Sequence, residues 1–477
     1  MSAKSLFALH KDWEVITLGE VCKRGGGNIQ TGPFGSQLHA SDYVDDGIPS
    51  IMPQNIGENR ILEYGIARIT PEDAKRLAKY LVIQGDIVYS RRGDVERRSL
   101  VRAKEHGWLC GTGCLRIRFG KGVVYPEYAA HYLAHPKVRE WIVRHAHGAT
   151  MPNLNTSILS EVPFVLPSWD EQVEIANVFE CIDNKVDLSR RINQTIEAMA
   201  QAIFSSWFVD FVPVKAKIFA INQGQDPQRA AMRAISGKTD DEIDKMPSEN
   251  YDQLAATAAL FPERIEVSEL QEVPEGWKPC VLGDLVELNP SEKIRKGALA
   301  PYIDMASIST SGSWCDTPVI REFGSGTKFR NRDVLLARIT PCLENGKTAF
   351  VQNLPEAIVG WGSTEFIVMR TKGIVPAEFI YTLSRSDAFR SFAIQSMTGT
   401  SGRQRAQASV IANYRMVDPG KPLWEALAKL LNSFFEAIRI RSGEGESLSQ
   451  LRDALIPKLL SGELSTNGIG TQEGVMP

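Results

Sequence analysis

Two stretches of the sequence repeat each other about half a chain apart, and this repeat constrains the fold more than any other feature. Trp13 is followed five residues later by LGEV (Leu18–Val21), and Trp277 is followed five residues later by LGDL (Leu282–Leu285). Solenoid proteins repeat every 20–50 residues or so, a much shorter period. The pattern therefore indicates a duplicated domain.

The repeat continues along both copies. GDIVYSRRG (Gly85–Gly93) and RDVLLARIT (Arg332–Thr340) each place an apolar, strand-like triplet between an Asp and an Arg. Near the ends, His147–Pro167 parallels Thr398–Pro419. The copies differ most in their first third, where the first has IQTGPFGSQLHASDY (Ile29–Tyr43) and the second has NPSEKIRKGALAPYIDMASIST (Asn289–Thr310) instead. We predict one α/β (α+β) scaffold, used twice on two different targets.

A long helix is predicted after each copy. Asp170–Phe208 contains no Gly or Pro, and 39 helical residues would span roughly 58 Å at about 1.5 Å per residue. The second segment, Leu423–Leu464, breaks its heptad pattern near SGEGES. Such helices can pack as an antiparallel coiled coil, and separate helical caps for each domain are the alternative. The predicted seam consists of Ile182, Val186, Ser189, Asn193, Ile196, Ala200, Ile203 and Trp207, facing Leu427, Leu431, Phe434, Ile438, Leu448, Leu451, Leu455 and Leu459.

Charge is distributed in blocks that follow the same division. Residues 1–167 hold 21 lysines and arginines against 17 acidic residues, and residues 277–422 hold 18 against 13. Residues 168–276 hold 10 against 20, and residues 423–477 hold 5 against 7. Basic surface on the two repeated blocks fits a polyanionic partner that touches only those blocks. Chance segregation of a few charges is the alternative.

The composition indicates a cytoplasmic protein. Its seven cysteines are scattered, which is typical of reduced thiols in the cytosol. The sequence has no run of eighteen apolar residues and no signal-like N-terminus, so we expect neither a membrane span nor secretion.

No catalytic motif is complete. Gly346-Lys347-Thr348 lacks the upstream Gly of a phosphate-binding loop, because position 341 is Pro. LNPSEK (Leu288–Lys293) lacks the second Pro and the aromatic residue of an amino-methyltransferase loop. All seven histidines fall in the first copy, whereas a duplicated His-dependent enzyme would keep one in each. Binding is thus the better interpretation than catalysis.

Both copies carry loops rich in side chains that can hydrogen-bond to nucleic acid. Arg, Lys, Asn, Gln, Ser and Thr read base edges, and Arg clusters also hold phosphates. For any one of these residues, a solvated charge or an ion pair is the simpler explanation; the clusters carry the prediction. The predicted DNA contacts are Gln30, Thr31, Ser36, Gln37, His39, Gln54, Asn55, Arg91, Arg92, Arg97 and Arg98 in the first copy, and Lys328, Arg330, Arg332, Arg338, Lys347, Arg403 and Arg405 in the second.

The chain resembles the specificity (S) subunit of type I restriction-modification enzymes. The resemblance rests on the opening Trp-x4-Leu-Gly-Glu/Asp, on Ile29–Ile56, on Leu166–Val214 and on the closing LRDALIPKLLSGEL (Leu451–Leu464). It implies two target recognition domains, each reading one half of a split double-stranded DNA sequence. The helices would set the spacing and dock two methyltransferase subunits, and the restriction/motor subunits would join through that complex.

The resemblance also implies a non-catalytic chain that binds no cofactor or metal. S-adenosylmethionine, ATP and Mg²⁺ would belong to the partner subunits. The predicted divisions are a first recognition domain (1–167), a central helical region with an acidic connecting segment (168–275), a second recognition domain (276–422), a C-terminal helical region (423–465) and a flexible tail (466–477). The open alternative is a DNA-recognition subunit of another phage-defence assembly, without methyltransferase partners.

Overall fold

The computed structural model describes residues 4–148, 152–267, 272–399 and 403–466. The chain divides into two compact units, of which unit 1 comprises Met1–Val186 with Glu446–Pro477 and unit 2 comprises Asp187–Gly445. Each unit thus takes a share of both long helices. The finer domain boundaries predicted above stay predictions, and most of the predicted tail, residues 467–477, lies outside the described residues. Among the described residues, no helix is both long and apolar enough to cross a membrane.

Unit 1 is built from short strands and short helices. Its strands are β1 (Glu14–Thr17), β2 (Gly26–Thr31), β3 (Tyr43–Val44), β4 (Ile48–Ile51), β5 (Ala67–Ile69), β6 (Ile87–Ser90), β7 (Arg98–Leu100), β8 (Leu109–Cys110), β9 (Cys114–Gly120) and β10 (Pro163–Leu166). Its helices are α1 (Leu18–Arg24), α2 (Pro71–Arg76), α3 (Pro126–Tyr132), α4 (Pro136–His145), α5 (Thr156–Glu161) and the first half of α6 (Trp169–Phe204). Short 3-10 helices lie at Ala40–Asp42, Pro53–Asn55, Ala78–Tyr80 and Ala103–Glu105.

The strands of unit 1 form two four-stranded sheets and one short pair. The first sheet has the order β2-β9-β6-β7 and is antiparallel throughout. The second has the order β3-β5-β4-β8, with β4 and β8 parallel. β1 pairs with β10 and so joins the two ends of the copy. Every residue of β6 is buried, which explains its unbroken apolar sequence.

Unit 2 opens with helices and then repeats the same plan. A π-helical turn (Ser205–Val209) follows α6, and then come α7 (Val212–Asn222), α8 (Pro227–Ser236), α9 (Asp240–Asp244), α10 (Ser248–Ala259), α11 (Leu282–Leu285), α12 (Ala377–Arg385), α13 (Asp387–Gln395), α14 (Ala408–Ile411) and α15 (Lys421–Leu460). The strands are β11 (Ile265–Val267), β12 (Glu272–Pro274), β13 (Lys278–Val281), β14 (Val286–Leu288), β15 (Leu299–Ile303), β16 (Val319–Glu322), β17 (Thr327–Phe329), β18 (Val334–Ala337), β19 (Thr348–Phe350), β20 (Gly360–Gly362), β21 (Phe366–Thr371) and β22 (Arg415–Asp418).

One four-stranded sheet of unit 2 matches a sheet of unit 1 in strand order. The order β14-β21-β18-β19 corresponds to β2-β9-β6-β7, and β13 pairs with β22 as β1 pairs with β10. The other sheet, β16-β15-β20-β17, again holds one parallel pair, β15 with β20. The predicted duplicated α+β scaffold is confirmed.

A buried ion pair is repeated in both copies. The Arg118 guanidinium donates to Asp86 through Nε at 2.8 Å and Nη2 at 2.6 Å, and the Arg370 guanidinium donates to Asp333 at the same two distances. Both aspartates are 1% exposed. The Asp that marks the repeat in the sequence therefore fixes the strand-to-strand packing of each copy rather than contacting a ligand.

The two long helices pair antiparallel within each unit. In unit 2, Asn193 Nδ2 donates to Ser442 Oγ at 3.0 Å, and the Phe208 ring stacks on Trp424. In unit 1, Arg452 Nη1 donates to Asp183 at 2.9 Å, and Ile175, Ala176 and Phe179 share one apolar cluster with Ile456, Leu459 and Leu460. The residue numbers of the contacting positions on α15 fall as those on α6 rise, as an antiparallel pair requires.

The predicted seam is right for α6 and partly wrong for α15. Helix α15 runs without interruption through SGEGES, so the predicted break is in the heptad pattern alone. Leu451 is 49% exposed, while Ile456, Leu459 and Leu460 are buried, because the pattern changes phase beyond the two glycines. Earlier in the helix, the fully buried aromatic is Phe435 rather than the predicted Phe434.

The acidic segment after α6 is largely helical. Helices α8 and α10 pack around Ala231, Met232 and Ala258, and Ile243 of α9 completes this small core. Asp226 and Thr239 cap α8 and α9 by accepting backbone hydrogen bonds. The many carboxylates of this acidic segment are therefore compatible with ordered structure.

Candidate nucleic-acid interface

The signature stretch Ile29–Tyr43 is only partly a loop. Its first three residues end strand β2, and its last residue, Tyr43, begins β3. Gln30 faces a neighbouring strand, where its Oε1 accepts from Arg116 Nη2 at 3.0 Å. Thr31 is partly buried at the end of the strand. Gln30 is thus already hydrogen-bonded within the sheet.

The loop that follows β2 has a fixed shape. Gly32 lies so close to the chain that a Cβ there would be 2.1 Å from the Gly111 carbonyl oxygen. Gln37 Oε1 accepts from the Tyr80 hydroxyl at 2.7 Å and from the Phe34 backbone N–H at 3.3 Å. The Gln37 side chain therefore shapes the loop, while Ser36 and His39 stay exposed.

Gln54 and Asn55 have different surroundings. Asn55 is 0% exposed; its Oδ1 accepts from Met52 N and its Nδ2 donates to Leu62 O. It closes a turn and does not reach the surface. Gln54 is exposed, beside the segment that carries Gly113.

The four predicted arginines after β6 differ in their exposure and partners. Arg91 is partly buried, with its guanidinium carbon 5.8 Å from the centre of the Phe34 ring. Arg92 is exposed, and Arg97 is paired with Asp94 at 2.8 Å. Arg98 is 5% exposed and donates to the Ala130 carbonyl; burial lowers its pKa. Arg98 is therefore a core residue in this structure.

Three cationic side chains of unit 2 are held by acidic or carbonyl partners. Lys328 Nζ donates to the Glu292 carbonyl at 2.9 Å, and Arg330 Nε lies 2.6 Å from the Glu292 carboxylate. Arg370 also donates to that carboxylate. Burial alone would raise the pKa of Glu292, but these hydrogen bonds outweigh it and hold the pKa below its ordinary value.

Arg332 and Lys347 are likewise engaged. Arg332 lies 3.0 Å from the Glu378 carboxylate and donates to Asn432 on α15. Burial raises the pKa of Glu378 even though Arg332 opposes it. Lys347 Nζ donates to the Met305 carbonyl at 2.6 Å.

The remaining predicted residues of unit 2 lie around the end of β18. Arg405 makes a paired contact with Glu365, whose pKa the Arg405 hydrogen bonds hold below its ordinary value. Arg403 is exposed. Arg338 is partly buried, and its backbone N–H donates to the Glu365 carbonyl at 2.9 Å.

Contacts bring several of the unit 1 loops together. Arg91 N donates to the Gly113 carbonyl, and Arg92 forms an isolated antiparallel β-bridge with Asn153. With Phe34 against Arg91 and Pro53 against Gly113, five loop segments meet at one surface. The predicted residues that this surface leaves accessible are Ser36, His39, Gln54, Arg91 and Arg92. Asn55 and Arg98 are excluded by burial.

Two aromatic residues were missed by the sequence prediction. Phe34 is 54% exposed in the Gly-rich loop, and Tyr64 is 98% exposed in the following hairpin. Exposed aromatic rings can stack on unpaired bases or on arginine. The sequence signal that could have indicated an exposed Phe34 is its position between Pro33 and Gly35.

The cysteines and candidate metal ligands can be placed within the described residues. All seven cysteines lie among the described residues, and none of them forms a disulfide. Burial raises the pKa of Cys22 and of Cys110 to about 12. Within the described ranges, no group of three or more His, Cys, Asp or Glu is placed to hold a metal ion.

Comparison with known proteins gives a consistent result. Residues 10–198 match the family described as "Type I restriction modification DNA specificity domain". The type I restriction enzyme HindI specificity subunit of Haemophilus influenzae is 25% identical over 95% of this chain and 100% of its own length. The MjaIX specificity subunit of Methanocaldococcus jannaschii is 24% identical over 95% of this chain and 94% of its own.

A shorter similarity and a structural one are also found. The EcoEI specificity subunit of Escherichia coli is 30% identical over 31% of this chain and 26% of its own. The S subunit of a type I restriction-modification system from M. genitalium aligns over 96% of this chain and 99% of its own, with 12% identity and a TM-score of 0.49.

Proposed function

Because the chain belongs to the family of type I restriction-modification specificity subunits, we propose that it is the DNA-recognition subunit of such a complex. Each copy of the repeated domain reads one half of a split double-stranded target. The observation that carries the proposal is one frame built twice. Both units have a four-stranded sheet of the same order and the same buried ion pair, with different polar residues at the loop edge.

The two copies are proposed to read different half-sites because their polar edge residues differ. In unit 1, the segment after β2 is the Gly-rich loop with Ser36 and His39 exposed. In unit 2, the corresponding segment carries Glu292, which holds Arg330 and Arg370. Different side chains at equivalent edges present different hydrogen-bond patterns to a major groove. Two unlike half-sites are the expected outcome.

The chain itself is non-catalytic in this proposal. The paired helices α6 and α15 set the spacing of the half-sites and dock two methyltransferase subunits, and restriction/motor subunits join through these. S-adenosylmethionine, ATP and Mg²⁺ are bound by the partners. The family relationship favours this over a DNA-recognition role in a different phage-defence assembly.

A methylome tests the proposal. The chain is co-expressed with its methyltransferase partner in a host free of DNA methylation, and modified adenines are mapped by long-read sequencing. A new motif with two defined halves around a fixed gap is expected, and the methyltransferase subunit expressed alone is the control. A soluble complex that leaves no new modification would favour the alternative assembly.

A further inference from the structure

One arginine occupies the same place in both copies. Arg91 N donates to the Gly113 carbonyl at 2.8 Å, and Arg338 N donates to the Glu365 carbonyl at 2.9 Å. The carbonyl oxygens of the two arginines accept from Leu154 N and Ala406 N, both at 2.8 Å. Each arginine thus sits between the same two neighbouring segments.

The segment that accompanies each arginine is equivalent too. Arg92 forms a bridge with Asn153, and Ile339 forms the matching bridge with Arg405. The next residue along the loop is therefore Arg in one copy and Ile in the other. Only the first position keeps its guanidinium.

The two side chains share a feature. Both Arg91 Nε and Arg338 Nε are buried, and neither has a hydrogen-bond acceptor among the described residues. No ion pair with a carboxylate joins either side chain within the described part of the chain, although Glu365 lies near Arg338. A buried donor without an acceptor is unfavourable for folding, and its presence at equivalent positions of both copies is compatible with an acceptor supplied by a partner.

We propose that Arg91 and Arg338 are an equivalent pair of phosphate-binding residues, each holding the DNA backbone for its own half-site. The inference rests on the proposed function. A guanidinium binds a phosphate through paired N–H groups. Both residues are partly exposed, so a phosphate that reaches the guanidinium can also engage the buried Nε once the side chain shifts. A position shared by two domains with different targets suits a contact to the backbone, which is common to all sequences, better than a contact to a base.

The chemistry separates this role from base reading. A phosphate contact strengthens binding to every sequence alike and releases about 0.9 counterions per contact, so its loss lowers the salt dependence of binding by about that amount. A bidentate base contact instead discriminates between sequences. The two positions should behave alike despite their different targets.

The test uses the full chain in complex with its methyltransferase subunit. Dissociation constants are measured over a salt series for two duplexes, one carrying the motif found by the methylome and one with both halves scrambled. For Arg91→Gln and for Arg338→Gln we expect binding to both duplexes to weaken by one common factor, about 5–10-fold, and the salt slope to fall by about 0.9. The double variant should show both losses together.

Two further sets of variants guard against trivial results. Arg91→Lys and Arg338→Lys keep the charge but lose Nε, so the salt slope should be retained while affinity stays below wild type. Arg24→Gln and Arg390→Gln remove exposed arginines that are paired with Glu14 and Asp387, and should leave binding unchanged. Melting temperatures of the Gln variants should equal or exceed that of wild type, because an unsatisfied buried donor is removed.

Three outcomes would overturn the inference. They are wild-type affinity of both Gln variants, a loss confined to the motif duplex, and failure of the variants to assemble with the methyltransferase. In each case the proposed function stands if the wild-type complex still prefers its motif. A wild-type complex that does not distinguish the two duplexes would instead contradict the proposed function itself.

Discussion

The two units share one frame and differ in the polar network at its edge. In unit 1, Arg118 pairs with Asp86, and Arg116 donates to Gln30. In unit 2, Arg370 bridges two carboxylates, Asp333 and Glu292, and the second of these also holds Arg330. A duplicated domain has thus kept its buried ion pair and changed what surrounds it. The frame tolerates a new edge because the shared pair fixes the strands independently of that edge.

The largest expected effect concerns that ion pair. Asp86→Asn leaves Arg118 without a carboxylate at a buried position, and we expect a loss of about 3 kcal/mol in the free energy of unfolding. Asp333→Asn should cost less, because Arg370 keeps Glu292. Chemical denaturation with hydrogen exchange read separately for β6 and β18 measures both. Asp94→Asn and Asp387→Asn, in exposed pairs, are the controls and should cost under about 1 kcal/mol. An equal or larger loss for Asp333→Asn would contradict the comparison.

A second difference lies in pH dependence. All seven histidines fall in unit 1, and burial, helped by the nearby Lys137 charge, lowers the pKa of His135 to about 4. Because the folded form resists protonation, His135 contributes stability above its ordinary pKa of about 6.5. That contribution is lost as the pH falls from about 6.5 to 4, by up to about 3 kcal/mol.

The His135→Asn variant isolates the contribution of His135 to the pH dependence of stability. Asn can replace the capping of α4 by His135 Nδ1, which accepts from Lys137 N, but does not titrate. Hydrogen exchange of unit 1 at pH 7 and pH 5 should show a smaller difference in the variant than in wild type. If the two proteins lose stability equally on acidification, another group is responsible.

The signature loop offers a smaller and more local effect. Gln37→Ala removes the acceptor of the Tyr80 hydroxyl and of Phe34 N, and should cost about 1–2 kcal/mol of local stability. Faster hydrogen exchange at 34–38 is the readout. Ser36→Ala is the matched control: it is exposed, so it should leave exchange unchanged and alter only DNA binding. If Gln37→Ala leaves exchange at wild-type rates, Gln37 does not shape the loop.

The smallest expected effect lies on the helix pair of unit 2. Asn193→Ala and Ser442→Ala should each cost about 1 kcal/mol, and their double-mutant cycle should show coupling of about 0.5–1 kcal/mol through the 3.0 Å hydrogen bond. Thermal unfolding of the four proteins gives the coupling. Fully additive losses would mean that the bond contributes nothing to pairing.

Much of the frame could be predicted from sequence, and much of the interface could not. Trp13 and Trp277, the LGEV and LGDL helix starts and the Asp-to-Arg strands all fall at equivalent places, because each repeats a local pattern. By contrast, Asn55 and Arg98 look like surface residues in sequence but are buried. Their burial depends on distant partners such as Leu62 and Ala130, which no local pattern shows. The change of heptad phase in α15 was not predicted for the same reason, because a heptad pattern does not show which face of the helix meets α6.

The most direct test of the account is a methylome of variants confined to one unit. Ser36→Ala with Arg92→Ala changes exposed residues of unit 1 alone, and Arg403→Ala changes an exposed residue of unit 2 alone. With the methyltransferase partner present, we expect each set to relax or alter one half of the split motif while the other half and the gap stay as in wild type. A change in both halves from variants in a single unit would contradict the claim that each unit reads its own half.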